Sequence, residues 1–204
     1  MKLTIAVSGP PGSGKTTIAK MLAKNLKLRY VSAGSLFRKI AEERGLSLKE
    51  LSLLAERDYT IDLEIDRRSY EEALKGNVVL DGHLTAWIIR DIADFTIYLT
   101  APLHVRVKRI AERDGRSISE VLIETIVREW SQLKRYKILY GIDIRDTSWF
   151  DITLNTAKYT VDEVYEIIMN SLRHLLKNRD KHLLTQSTTK AFQTNHKSNS
   201  VWSW

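Results

Sequence analysis

Cysteine is absent from the 204 residues, which excludes disulfides and thiolate metal sites and fits a reducing compartment. No apolar run approaches the ~20 residues that a membrane span needs, so the composition reads as soluble and globular. The start "MKLTIAVSGPPG" has a short apolar run but no small-residue cleavage site after it, so it is not a signal peptide. We therefore expect a cytoplasmic protein with no membrane partner. There is no internal repeat and no long linker, which leaves one α/β domain with insertions, over residues 1–177. Beyond Asn178 the chain is rich in Ser, Thr, Asn and Lys without an apolar period. We read 178–204 as a flexible tail, its Trp202 and Trp204 able to dock on the body or on another subunit.

What is present is an excess of positive charge: 32 Lys and Arg against 25 Asp and Glu, a net of +7. That balance suits an anionic partner, either nucleic acid or a phosphorylated small molecule. Five short β-rich runs, at 3–8, 28–32, 77–82, 95–100 and 150–155, alternate with helical pattern. This is the arrangement of a buried parallel sheet with crossover helices. Ser47 with Glu50, Ser117 with Glu120, and Thr160 with Glu163 form capping boxes that mark helix starts.

Between the first run and a helical segment stands "GPPGSGKTT", residues Gly9, Pro10, Pro11, Gly12, Ser13, Gly14, Lys15, Thr16 and Thr17. Small residues let successive backbone N–H groups curl around phosphates, and the following helix points its positive end at the same spot. Lys15 then reaches the β- and γ-phosphates of ATP, and the Thr16 hydroxyl is suited to Mg²⁺. A second acidic group is expected near the metal at the end of another buried strand, and "VVLDG" supplies Asp81.

Three clusters answer what receives the phosphate. "SAGSLFRK" offers Ser32, Gly34 and, on a helix, Arg38, on the rim that carries the glycine loop. Residues 47–76 are helical and charge-rich, and exceed by far the ~10 to 15 that a crossover needs, which suggests a cap over an acceptor. Asp66, Arg67 and Arg68 are contacts it offers, with a surface ion-pair role equally open. An arginine-rich stretch follows, in which Arg106, Arg109 and Arg113 share one helix face and Arg128 and Arg135 another. A helical hairpin this basic beside a phosphate loop reads as a lid that neutralises the transferring group and expels water. No aromatic stacking platform accompanies these arginines, so a nucleic-acid face is disfavoured.

Taken in order, "GPPGSGKTT", "SAGSLFR", "VVLDGHLTAW", "LTAPLHVRVKRIAERDGRS", "VREWSQLKRYKILYGID" and "DITLNTAKYTVDEV" resemble the nucleoside monophosphate kinases, more narrowly the short archaeal-type cytidylate kinases. The resemblance covers residues 1–177. It implies a P-loop fold with a five-stranded parallel sheet flanked by helices, an acceptor-binding insert at about 35–76 and a lid at about 109–143. It also implies phosphorylation of CMP and dCMP by ATP with Mg²⁺, and we expect a monomer. The glycine loop carries over to Gly9–Thr17, the acceptor-phosphate arginine to Arg38, and the lid arginines to Arg109, Arg128 and Arg135. Gly82 and His83 complete the expected acceptor side. Related enzymes often have arginine where this chain has His83, and bacterial-type ones a carboxylate where it has Gln132. Adenylate, uridylate and shikimate kinases share the donor apparatus, and a nucleic-acid-binding P-loop ATPase is the competing class.

Overall fold

The computed structural model describes residues 2–177; the expected tail with Trp202 and Trp204 lies outside them. Five strands form one sheet: β1 (Thr4–Ser8), β2 (Arg29–Ser32), β3 (Val78–Asp81), β4 (Phe95–Thr100) and β5 (Ile152–Asn155). Their order is β2-β3-β1-β4-β5 and every pairing is parallel. The central β1 and β3 are buried along their whole length, as strands covered on both faces must be. The register sets Asp81 level with Val7 on one side and Ser32 on the other. Three strand ends thus meet on one rim, where ligands of open α/β sheets bind.

Out of β1 the chain makes its glycine loop and enters α1 (Lys15–Leu26). Gly9 has φ +149°, and a Cβ there would stand 2.1 Å from the Leu99 carbonyl oxygen of β4. Gly12 has φ +78°, and its Cβ would stand 2.6 Å from the Arg106 carbonyl oxygen. Only glycine satisfies both the left-handed backbone and the close approach.

On one side of the rim lie α2 (Ala33–Glu43), α3 (Leu48–Ala55) and α4 (Thr60–Leu74). Ser32 and Ser35 cap α2 reciprocally, and Ser47 and Glu50 cap α3 as the capping box predicts. Leu36, Ile40, Leu51, Ile61 and Ile65 bind the three helices through a core of their own. After the short α5 (Thr85–Ile88) and β4, the other side carries α6 (Leu103–Asp114) and α7 (Ile118–Tyr140). Val107, Ile110, Ala111 and Val121 hold these two together. Leu84, Tyr136 and Ile144 form a further cluster that anchors the far end of α7. An eighth helix, α8, spans 161–177 after the capping pair Thr160 and Glu163. No described helix is long and apolar enough to cross a membrane.

Arg106 does not share the environment of Arg109 and Arg113, although the helical period sets all three on one side of α6. It is 6% exposed and donates to the carbonyls of Ala101 at 2.8 Å and Pro11 at 3.1 Å. Its guanidinium also pairs with both carboxylate oxygens of Glu129 on α7. A buried guanidinium needs such partners, because desolvation otherwise outweighs everything it gains. One arginine thereby ties the glycine loop to both helices of the hairpin.

Removing the carboxylate should therefore expose the cost of a stranded charge. Glu129→Ala is expected to destabilise the fold by about 2 kcal/mol, below the value for a fully buried pair because Glu129 is partly exposed. Urea unfolding of both proteins measures it, and an unchanged midpoint would remove this pair from the hairpin's support.

Candidate active site

A cleft of about 1220 Å³ opens on the rim between the two helical flanks. Its floor is the glycine loop from Pro11 to Gly14 and the first turn of α1. Gly14 begins that helix with φ +88° and no side chain caps it. The N–H groups of the first turn therefore lack intrahelical partners and stand beside the cleft with the positive end of the helix dipole. An anion is their natural complement.

Lys15 reaches back to the Pro10 carbonyl at 3.4 Å. Burial lowers its pKa to about 8, partly offset by Asp81 and reinforced by Arg128, Arg113 and Arg106. Thr16 donates its hydroxyl to Asp81 Oδ2 at 2.7 Å, and Tyr30 donates to the same oxygen at 2.9 Å. Burial beside that carboxylate pushes the Tyr30 phenol up to about 12. Asp81 is 3% exposed, so this network holds a carboxylate in place at the mouth of the loop. Gly82 next to it leaves no room for a side chain, since a Cβ would meet Thr85 Oγ1 at 2.2 Å and Ala33 at 2.9 Å.

Behind the loop, Arg109 donates to Thr156 Oγ1 and to the Thr156 carbonyl, each at 2.9 Å, and reaches the Gly12 carbonyl at 3.4 Å. Thr156 Oγ1 lies in turn 3.0 Å from the Ser13 carbonyl. The loop is thus fixed from below by β5's end and from the side by α6. His83 sits 2.6 Å through Nδ1 from Gln132 Oε1 and edge-on to Tyr136. Burial, with Lys15 and then Arg128 and Arg106 nearby, pulls its pKa down to about 3. The ring is neutral at physiological pH, and donation of Nδ1–H to Gln132 keeps Nε2 as an acceptor.

The opposite end of the cleft is different in kind. Asp62 and Asp66, one turn apart on α4, both line it. Arg135 of α7 donates to Asp62 Oδ2 at 2.6 Å and Tyr140 to Asp66 Oδ2 at 2.5 Å. Burial raises both carboxyls, Asp66 to about 7, where Tyr140 opposes the rise and Asp62 adds to it. Each aspartate commits its Oδ2 to α7.

Of the residues expected from sequence, Pro11, Gly12, Ser13, Gly14, Lys15, Thr16, Thr17, Ser32, Gly34, Arg38, Asp66, Asp81, Gly82, His83, Arg109, Arg128 and Arg135 all line this cleft. Arg67 does not: it pairs with Glu71 on the exposed side of α4. Arg68 likewise bridges Glu43 and Glu64. Gly9 lies beneath the loop, against Leu99. Arg38 and Arg128 are exposed and form no hydrogen bond or ion pair with any described residue. Sequence reasoning missed Tyr30, Asp62, Tyr140 and Thr156. The four-residue spacing of Asp62 and Asp66 on a helical pattern was the one available signal among them.

With this rim the molecule falls in the P-loop class of nucleotide-binding α/β proteins. A family model described as an AAA domain matches residues 8–127. A cytidylate kinase of Staphylothermus marinus is 57% identical over 175 residues, covering 86% of this chain and 99% of its own length. Another, of Aeropyrum pernix, is 53% identical over 167 residues, with 82% and 97% covered. The chain belongs to the cytidylate kinase family. Among solved structures, a shikimate kinase from Bacteroides thetaiotaomicron aligns with a TM-score of 0.57 at 18% identity, covering 87% of this chain and 99% of that one. That likeness concerns the fold.

The lowered Lys15 pKa yields a measurable sign. A bound triphosphate favours charged Lys15 and raises its pKa, so binding between about pH 8 and 10 takes up a proton and weakens as pH rises. Calorimetry of a non-hydrolysable ATP analogue in two buffers of different ionisation enthalpy should show this uptake, and Lys15→Met should abolish it. Equal heats in both buffers would count against the donor role of Lys15.

Proposed function

We propose that the protein transfers the γ-phosphoryl group of ATP in line to the phosphate of CMP and dCMP, giving the diphosphates in the cytoplasm. The observation that carries the reading is a single cleft lined both by an uncapped helix start with Lys15 and, from α2 and α4, by Arg38 and a carboxylate pair. The donor's phosphates take the loop amides and Lys15. Arg38, with no hydrogen-bond or ion-pair partner among the described residues, takes the acceptor phosphate beside Ser32 and Gly34. Arg128 faces the gap between the two and balances charge as the γ-phosphoryl group passes. Arg109 keeps the glycine loop in shape, and Arg135 holds Asp62 ready.

The acceptor phosphate is already anionic near neutral pH, its second pKa being about 6. No general base is then required, and catalysis rests on position and charge. The Thr16 hydroxyl and the Asp81 carboxylate are hard oxygen donors 2.7 Å apart, which fits Mg²⁺ held by one or two protein oxygens together with phosphates and water. Bound there, the ion supplies neutralisation of the β- and γ-phosphate charge.

We assign the base to the α4 side. The carboxylates of Asp62 and Asp66, both lining the cleft, suit the exocyclic amine of cytosine, and Arg135 beside Asp62 suits its ring nitrogen and carbonyl. Uracil presents a carbonyl in place of the amine, and above about pH 7 it meets ionised carboxylates with no proton to share.

The test is ADP release in a coupled assay with CMP, dCMP, UMP, AMP, GMP and shikimate. CMP and dCMP should lead, and preference for AMP or shikimate would overturn the acceptor. Arg38→Ala should raise KM for CMP at least about tenfold while leaving ATP binding intact.

Asp66 adds a pH signature. Protonation below about pH 7 removes an acceptor, so KM for CMP should climb from pH 8 to pH 6. In Asp66→Asn the residual slope should be that of the substrate phosphate alone, and kcat/KM for CMP should fall about tenfold or more relative to UMP. An unaltered CMP-to-UMP ratio would take Asp66 out of base recognition.

A further inference from the structure

Helix α7 has a third face that the proposed reaction leaves idle. Its 23 residues bury Val121, Thr125, Gln132 and Tyr136 inward and turn Arg128 and Arg135 to the cleft. On the remaining side Ile123, Ile126, Val127 and Trp130 are exposed by 66%, 48%, 63% and 71%. Their spacing of i, i+3, i+4 and i+7 makes them a continuous stripe, with Val127 at the edge nearest the cleft. An amphipathic helix normally turns polar residues outward, and contiguous apolar surface of this kind marks an interface. A second cleft of about 440 Å³, walled by Tyr98, Leu133 and Ile144 together with Ile126 and Trp130, extends the same surface.

Charges at the two ends of the stripe specify what fits it. Continuing along the same face, Glu120 lies one turn before Ile123 and Lys134 one turn after Trp130. Both are exposed, and neither forms an ion pair with a described residue. We propose that a second copy of this chain packs on the stripe, α7 against α7 in antiparallel register about a two-fold axis. With Ile126 opposite the partner's Val127, Ile123 falls opposite Trp130 and Glu120 opposite Leu133, one residue from Lys134 and within reach of its long side chain, and each contact occurs twice. A parallel pairing would set Glu120 against Glu120 and Lys134 against Lys134, which like-charge repulsion disfavours. The arrangement goes beyond the proposed phosphoryl transfer and differs from the monomer expected from sequence. It leaves the cleft-facing side of α7 open in both copies.

Sedimentation velocity of the full chain, over a series from low micromolar upward, reads the association directly. A concentration-dependent shift from one to two chain masses is expected. Trp130→Glu and Ile123→Glu change exposed residues and should weaken dimerisation at least about tenfold with the far-UV circular dichroism unchanged. Glu120→Lys and Lys134→Glu should each weaken it, and the double exchange should restore it. A monomer at every concentration overturns the proposal, as does a dimer indifferent to Trp130→Glu. Restoration failing in the exchange would overturn the antiparallel register. A monomer that co-sediments with phosphatidylglycerol vesicles through Trp130 would assign the face to a lipid surface and overturn the dimer.

Discussion

A helix that begins without a cap inside a cleft leaves backbone N–H groups unsatisfied, and much of this molecule is arranged around that deficit. Gly14 opens α1 with no side chain to receive those donors. The loop before it cannot relax to satisfy them, because Gly9 presses against Leu99 and Gly12 against Arg106. Arg106 is itself held by Glu129, and the Ser13 carbonyl by Thr156, which also receives Arg109. Strands β1, β4 and β5 and helices α6 and α7 thus all brace one short segment. The consequence is a preformed anion cradle whose dipoles need no reorganisation when phosphate arrives.

The titratable groups of the cleft tell the same story from two sides. Lys15 at one end is pulled down and Asp66 at the other is pushed up, both chiefly by burial. Each shift favours the neutral form, so the cleft carries less charge by itself than its residue types suggest. Ligands of the opposite sign or with complementary donors return these groups to their charged states.

The strands were legible because buried parallel strands are short apolar runs, and all five lie within two residues of their expected limits. The donor loop was legible because its chemistry is local: five residues carry both the turn and the ligands. Strand order was not, since nothing in a strand's own sequence names its neighbour. The arginines show the same division. Helical spacing correctly grouped Arg106 with Arg109, yet Arg106 faces a carboxylate twenty-three residues away and Arg109 a threonine forty-seven away. Arg67 and Arg68 were equivalent in sequence to cleft residues, but α4 turns its Asp62 and Asp66 face inward and leaves these two to Glu71, Glu43 and Glu64. Tyr30 and Tyr140 became visible only when folding brought them to carboxylates fifty-one and seventy-four positions away.

Arg128 and Arg135, two turns apart on one helix, meet different fates for the same physical reason. Arg135 stands over Asp62, and both side chains are largely withdrawn from water. Parting such a pair is costly, because each charge would be left with reduced solvation and no compensation. Arg135 is therefore a poor candidate to leave for an arriving phosphate, and a good one to hold the α4 carboxylate against α7. Arg128 has no such commitment, and neither has Arg38. Both line the cleft, one from each flank, and neither has an ion-pair partner among the described residues, so neither must be released from a protein carboxylate before it meets an anion.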